Sequence, residues 1–340
     1  MSSRDAQSCV RPGAASFRLA SIVAGLAVSL VLLAIVGVYR ATKASDPPLR
    51  IALSPWPGYE FATLAQQKGF FADEGVQVEL LELSSLGDSR RAYERRQVDG
   101  FFATLVEVIV AEEYGGRSPR VAMVVDWSDG ADVVIAGKGV TSVSDLKGRR
   151  VGVESDSLNA IVLARAMERH GMAIDDVVVV PCAQLNMRAA MELGEVDAVV
   201  TYPPMSFAID VLPDTQVVFT TRESPNEIVD VLAVDADVIG SRPDAIAGFR
   251  RAFFRAQEYA KEHPTEAIAI MAARQRISPA EFEAAMTDGI KLVGRAEQDR
   301  FLGRDGSLRD TARRTRDSMV AVGMLRDPLP KTDVTVVIGE

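Results

Sequence analysis

The chain is poor in the residues that carry most side-chain catalysis and metal binding, holding two histidines and two cysteines in 340 residues. No His-x-x-x-His or Cys-x-x-Cys spacing occurs, so neither a structural nor a catalytic zinc site is expected. Cys9 precedes the one long apolar run and Cys182 stands alone after it, which excludes an internal disulfide in the part beyond that run. His170 and His263 sit in charged, helix-like surroundings. A Walker motif and a Gly-x-Gly-x-x-Gly are also missing, so a nucleotide would lack its phosphate cradle. No cofactor and no metal is expected. Positive charge is scarce too, with 38 basic against 47 acidic residues.

The long apolar run spans residues 19–39, enough at about 1.5 Å per residue to cross a hydrocarbon core. Arg4, Arg11 and Arg18 precede it; Arg40 and Lys43 follow it. That bias weakly favours an N-terminus left in the cytoplasm. Two readings stay open. The run is an uncleaved membrane anchor, or it is a secretory signal cut at Thr42-Lys43-Ala44. The second is disfavoured by length, because a signal's apolar region usually runs about 7–15 residues. Either way, residues from about 45 onward are expected outside the cytoplasm. Removing residues 1–44 takes away five basic residues and one acidic one, so the remainder carries a formal charge of −13. Nucleic acid is a poor partner for such a domain, since binding it rests on Lys and Arg neutralising phosphates.

One pattern occurs twice. Arg90-Arg91-Ala92-Tyr93-Glu94-Arg95-Arg96-Gln97-Val98-Asp99-Gly100 aligns with Arg188-Ala189-Ala190-Met191-Glu192-Leu193-Gly194-Glu195-Val196-Asp197-Ala198, 98 residues later. Each copy reads as a polar helix feeding a buried strand, which predicts two lobes of one plan with a ligand cleft between them. Strands are expected at 49–53, 76–83 (led in by Phe70-Phe71), from 101, and at 121–125, 133–136, 150–153, 177–180 and 228–234. Helices are expected at 59–68, from Ser84-Ser85, and at 157–170, with a helical turn at 142–148. The remainder from 243 to 323 reads as helical, broken at Pro264, Pro279 and near Gly303, with a last edge strand at 334–338. The alternation predicts an α/β fold with parallel sheets. The expected layout is a cytoplasmic segment 1–18, the apolar helix 19–39, a linker 40–48, a first lobe from 49–137 and 227–340, and a second lobe 138–226. Crossovers near Ala136 and Ile228 would make a hinge.

Three phrases give the chain a family likeness. They are Gln66-Gln67-Lys68-Gly69-Phe70-Phe71-Ala72-Asp73-Glu74-Gly75-Val76, Ser144-Asp145-Leu146-Lys147-Gly148-Arg149-Arg150-Val151-Gly152-Val153 and Gly194-Glu195-Val196-Asp197-Ala198. In this order and spacing, residues 49–260 resemble the substrate-binding proteins of ABC importers, in the nitrate/sulfonate/taurine and thiamine-pyrimidine group. The resemblance implies a two-lobed type II periplasmic-binding fold with a hinged cleft, a periplasmic location, and docking onto permease subunits as a monomer. It does not name the ligand.

Candidate cleft residues follow from the rule that ligands sit beyond the carboxyl ends of the strands in open α/β sheets. The turn from Ser54 to Glu60 holds two prolines and a glycine, which would let Trp56 and Tyr59 present ring faces with Glu60 beside them. Ser84 and Ser85, like Ser155 and Ser157, open helices whose free N–H groups favour anions. Ordinary N-capping uses the same residue types. Thr104 ends a strand, and Glu107 sits amid Leu105, Val106, Val108 and Ile109, an acid that must pair or meet a ligand's charge. Asp126 and Trp127 open a run with Asp129 and Asp132 that lacks the calcium-loop register but suits an amine held by carboxylates and a ring face. Tyr202 stands in the second lobe where the 98-residue offset puts Thr104 in the first.

These loops predict a small polar ligand of the sulfonate or taurine type, an amine or a zwitterion, captured for an ABC importer. A plain anion would be repelled by Glu60, Glu107 and Asp126 unless those acids are paired. A membrane-anchored sensor is the alternative. An enzyme is not expected: the fungal thiamine-pyrimidine synthases of similar fold rely on a cysteine-rich motif and an active-site histidine, and neither is matched here.

Overall fold

The computed structural model describes residues 47–303 and 306–326. The apolar run at 19–39, the cleavage site and the strand expected at 334–338 lie outside the described residues. Among the described residues no helix is long and apolar enough to cross a membrane.

Strands and helices alternate: β1 (Leu49–Leu53), α1 (Glu60–Gln67), β2 (Val78–Glu82), α2 (Leu86–Glu94), β3 (Gly100–Thr104), α3 (Leu105–Tyr114), β4 (Pro119–Ser128), β5 (Val133–Ala136), β6 (Arg150–Val153), α4 (Leu158–Arg169), β7 (Val178–Pro181), α5 (Met187–Glu192), β8 (Ala198–Thr201), β9 (Gln216–Thr220), β10 (Val229–Asp235), α6 (Pro243–Glu262), α7 (Pro264–Gln275), β11 (Ile290–Leu292) and α8 (Leu308–Ala321). Phe70–Asp73, expected to lead into a strand, forms a helical turn after the left-handed Gly69. β9 and β11, unread in the sequence, are an edge strand of each sheet.

Two sheets result, ordered β11-β4-β10-β3-β1-β2 and β7-β6-β8-β5-β9. Each contains a parallel trio, β2-β1-β3 and β7-β6-β8, flanked by one antiparallel strand, β10 or β5. The antiparallel strand of each sheet is delivered by the other: β4 leaves the first sheet for β5, and β9 leaves the second for β10. The sequence assigns Val133–Ala136 to a first lobe running to residue 137. The strand pairs instead with β8, Val133 opposite Thr201, so the first crossover is at 129–132. The second occupies 221–228. The crossovers are bonded to each other: Ser128 Oγ lies 2.7 Å from Thr221 Oγ1, which also accepts from the Gly130 amide at 2.9 Å, and the Thr221 amide donates to the Asp132 carbonyl at 3.0 Å.

The repeated pattern builds the same joint twice. Asp99 accepts from the Arg50 amide at 2.9 Å and from its guanidinium at 2.7 and 3.3 Å. Asp197 accepts from the Arg150 amide at 2.8 Å and from its guanidinium at 3.0 and 3.1 Å. Each aspartate thereby ties the end of a helix to the first strand of its trio. Before each aspartate the helix ends on a left-handed residue, Arg96 (φ 61) in one copy and Gly194 (φ 66) in the other. Aromatic packing fixes the first sheet between helices. Phe102 meets Phe253 of α6 at 5.8 Å on one face, and Phe101 meets Tyr93 of α2 at 4.7 Å on the other, because successive strand residues point to opposite faces.

Candidate functional site

The carboxyl ends of both parallel trios converge on a group of buried acids. On the first sheet, Asp126 of β4 and Asp230 of β10 stand directly opposite in register. Both are fully buried. Asp126 accepts from Trp56 Nε1 at 3.1 and 3.2 Å, and Tyr59 donates its hydroxyl to Asp230. The turn carrying Trp56 and Tyr59 reaches Asp126 only because residue 58 is glycine: a Cβ there would sit 1.8 Å from Asp126 Oδ2. Burial pushes the Asp126 carboxyl up to about 8, helped by the nearby Asp132. Burial and then the charge of Asp126 push Asp230 up strongly.

The second trio brings Glu154, next after β6, and Tyr202, next after β8. Glu154 Oε1 accepts from Ser85 Oγ of the first lobe at 2.5 Å, and burial raises its carboxyl to about 7. The Tyr202 ring meets Trp56 edge-on at 6.0 Å. In the first crossover Asp132 is buried and raised to about 7, again by burial first and then by the charge of Glu107. Glu107 joins the lobes. Its Oε2 accepts from Thr104 Oγ1 at 2.6 Å and the Thr104 amide at 3.2 Å, while Oε1 accepts from Ser157 Oγ at 2.8 Å and the Leu158 amide at 2.9 Å.

No Lys or Arg among the described residues forms an ion pair with Asp126, Asp230, Asp132, Glu154 or Glu107. Glu107 has the N-terminus of α4 in place of a cation. The charge of Arg91 reaches Glu154 and opposes the effect of burial, but Arg91 itself pairs with Asp88 at 2.8 Å. The raised values of the other four acids follow from burial without an ion partner. Five of the buried atoms left without partners here are acceptors, Asp132 Oδ2, Glu154 Oε2, Asp230 Oδ2, Asn159 Oδ1 and Gln184 Oε1, and against them stands one unpartnered hydroxyl, that of Tyr202. Asn159 and Gln184 are held at the end of β8, their amides donating to the Val200 carbonyl and Thr201 Oγ1. Such a surface calls for donors and positive charge.

Eight of the residues singled out in the sequence meet in this group: Trp56, Tyr59, Ser85, Thr104, Glu107, Asp126, Ser157 and Tyr202. Four do not. Glu60 follows Tyr59 directly, but the first turn of α1 turns it toward α7, where it accepts from Arg274 at 2.6 Å and Gln275 at 3.0 Å. Trp127 lies on the other face of β4 from Asp126 and packs on Phe301 at 5.5 Å. Ser84 and Ser155 are exposed beside the buried caps Ser85 and Ser157. Sequence reasoning misses Asp230 and Glu154, and it notes Asp132 only as part of an acidic run. An acid inside the apolar run 228–234 is the available signal for Asp230, the same one that draws attention to Glu107.

Comparison with known proteins agrees with this architecture. A family model described as NMT1/THI5 like matches residues 56–267. A Brucella abortus (strain 2308) protein, provisionally named a binding protein, is 22% identical over 316 residues, covering 91% of this chain and 95% of that one. The 4-amino-5-hydroxymethyl-2-methylpyrimidine phosphate synthase of Candida albicans (strain WO-1) is 24% identical over 225 residues, 60% of this chain and 64% of that one. The alkanesulfonate-binding protein SsuA from Xanthomonas axonopodis pv. citri, bound to MOPS, superposes with a TM-score of 0.72 at 16% identity, covering 86% of this chain and 99% of that one. The last likeness is one of fold, the α/β fold of periplasmic binding proteins.

Proposed function

The chain belongs to the NMT1/THI5-like family, and from that premise we propose that it is an extracytoplasmic solute-binding protein for a small amine-bearing solute, which it delivers to an ABC importer. The observation that carries this reading is the set of four buried carboxyls, Asp126, Asp230, Asp132 and Glu154, gathered without an ion-paired cation. An ammonium group placed among them would supply the missing charge and the missing donors together. Trp56 and Tyr202 would flank it, since a cation is also held by ring faces. Binding would draw the lobes together about the crossovers at 129–132 and 221–228, and the closed form would be the one a permease accepts. Export rests on the apolar run at 19–39, as an anchor or a signal.

Asp132 and Glu154, which ionise at about pH 7, oppose a plain anion, so the ligand would differ from the sulfonate named for the SsuA structure. An enzymatic reading finds little support in the side chains. His170 rests on Glu223 and His263 on Tyr259, and Cys182, just after β7, packs against the small core that holds Val133, Ile135 and Val199. A thermal-shift screen of the purified chain against mono- and diamines, aminosulfonates, alkanesulfonates, nitrate and pyrimidines tests the reading, with calorimetry on the hits. Amines should bind, and Asp126→Asn should weaken them at least about tenfold, the loss of one charge-assisted contact. Binding of nitrate or alkanesulfonates with no response to any amine would refute it.

A further inference from the structure

The N-terminus of α4 is a place where a ligand's negative group would ordinarily be welcome, since its free N–H groups and partial positive charge attract anions. In this chain an anion of its own is already there. We propose that Glu107 is a specificity-determining residue, a tethered carboxylate that occupies the start of α4, bars ligand anions from it and clips the two lobes together. Both oxygens are used. Oε1 takes the Ser157 hydroxyl and the Leu158 amide of the second lobe, and Oε2 takes the Thr104 hydroxyl and amide of the first. The bond from the Thr104 amide is the Glu107 half of a capping box at the start of α3, and the Thr104 hydroxyl adds to it, so the side chain is aimed across the interface before the lobes meet. The residue is fully buried.

A free carboxylate, sulfonate or phosphate competing for the same donors must displace a group whose effective concentration is that of an intramolecular partner. It must also sit beside Asp132 and Glu154, whose charges would repel it. The selectivity against anions therefore has Glu107 as its first barrier, with Asp132 and Glu154 behind it. Glu107 would act in this way whichever solute the cleft takes.

Acetate is the fragment that Glu107→Ala removes, which makes the test direct. Melting temperatures of the full chain are compared in chloride, acetate, methanesulfonate and the neutral isostere acetamide at constant ionic strength. Wild type should respond alike to all four. Glu107→Ala should gain about 3 °C in acetate, and a similar amount in methanesulfonate, over chloride, the size of an anion bound at a helix N-terminus. Acetamide should give no gain. Equal melting in chloride, acetate and acetamide would overturn the proposal. Should Glu107→Ala fail to fold, Glu107→Gln keeps the shape but cannot accept from both lobes as a carboxylate does. Its radius of gyration by small-angle scattering should exceed that of wild type, and an unchanged radius would overturn the clip. Amine titrations on the same samples report separately on the ligand reading, so either idea can fail alone.

Discussion

Asp126→Asn should have effects of opposite sign on stability and on binding. The amide keeps an oxygen to accept from Trp56 Nε1 and lacks the charge. In the wild type, burial raises this carboxyl from its ordinary 3.8 to about 8, so between those values the folded protein holds a proton that the unfolded chain has released. A raised acid contributes stability at low pH and loses it as pH rises toward the folded value. Each unit of that window is worth about 1.4 kcal/mol. From pH 5 to pH 8 the wild type should therefore lose about 4 kcal/mol through this group with the lobes shut, and less to the extent that the hinge opens and wets it. The amide variant, with no proton to lose, escapes that penalty. Urea unfolding of ligand-free protein at the two pH values should show the variant's advantage growing toward pH 8, while its amine affinity falls. A variant less stable than wild type by the same amount at both pH values would refute the reasoning and mark Asp126 as a structural acid.

Other expectations follow from neighbouring features. Glu60→Gln takes away the charge 2.6 Å from the buried Arg274, which keeps only Glu82 at 3.4 Å as an ion partner, and should cost up to about 3 kcal/mol in urea unfolding at pH 8, above the value of about 7 to which burial raises Glu60, with ligand affinity unchanged. Arg96 holds a left-handed conformation where the second repeat has Gly194, so Arg96→Gly should stabilise the first lobe by up to about 1 kcal/mol; a loss would show that the Arg96 side chain matters more than its backbone. The chain has two tryptophans, Trp56 among the acids and Trp127 against Phe301. A ligand-induced fluorescence change should survive Trp127→Phe and vanish in Trp56→Phe.

Much of the fold is legible in the sequence because local chemistry and tertiary role agree. The β-branched run from Val133 marks β5, and two serines announce helices, Ser85 by capping α2 and Ser157 from the position just before α4. What misleads is adjacency in sequence. Glu60 looks like a neighbour of Trp56, but its partner Arg274 is 214 residues away, and no local pattern announces such a pair. Asp126 and Trp127 read as one wall, although neighbours on a strand face opposite ways; that rule alone separates them. Asp230 is hidden by the apolar company that makes β10 read as core, and Glu154 by the strand end it follows. The acids of the site come from separate strands, a crossover and a helix, and only the sheet order brings them together.

The exchange of strands between the sheets has a consequence for biosynthesis. The second sheet draws all its strands from residues 133–220, so it can close as soon as that stretch has emerged. The first sheet begins earlier, at Leu49, yet β3 and β4 are joined only through β10, residues 229–235. Until then the nascent chain must carry Phe101 and Phe102 on an open strand edge, a hazard for aggregation. The lobe that is made first is thus finished last, and a chain exported before folding would need its early half shielded for longer than its late one.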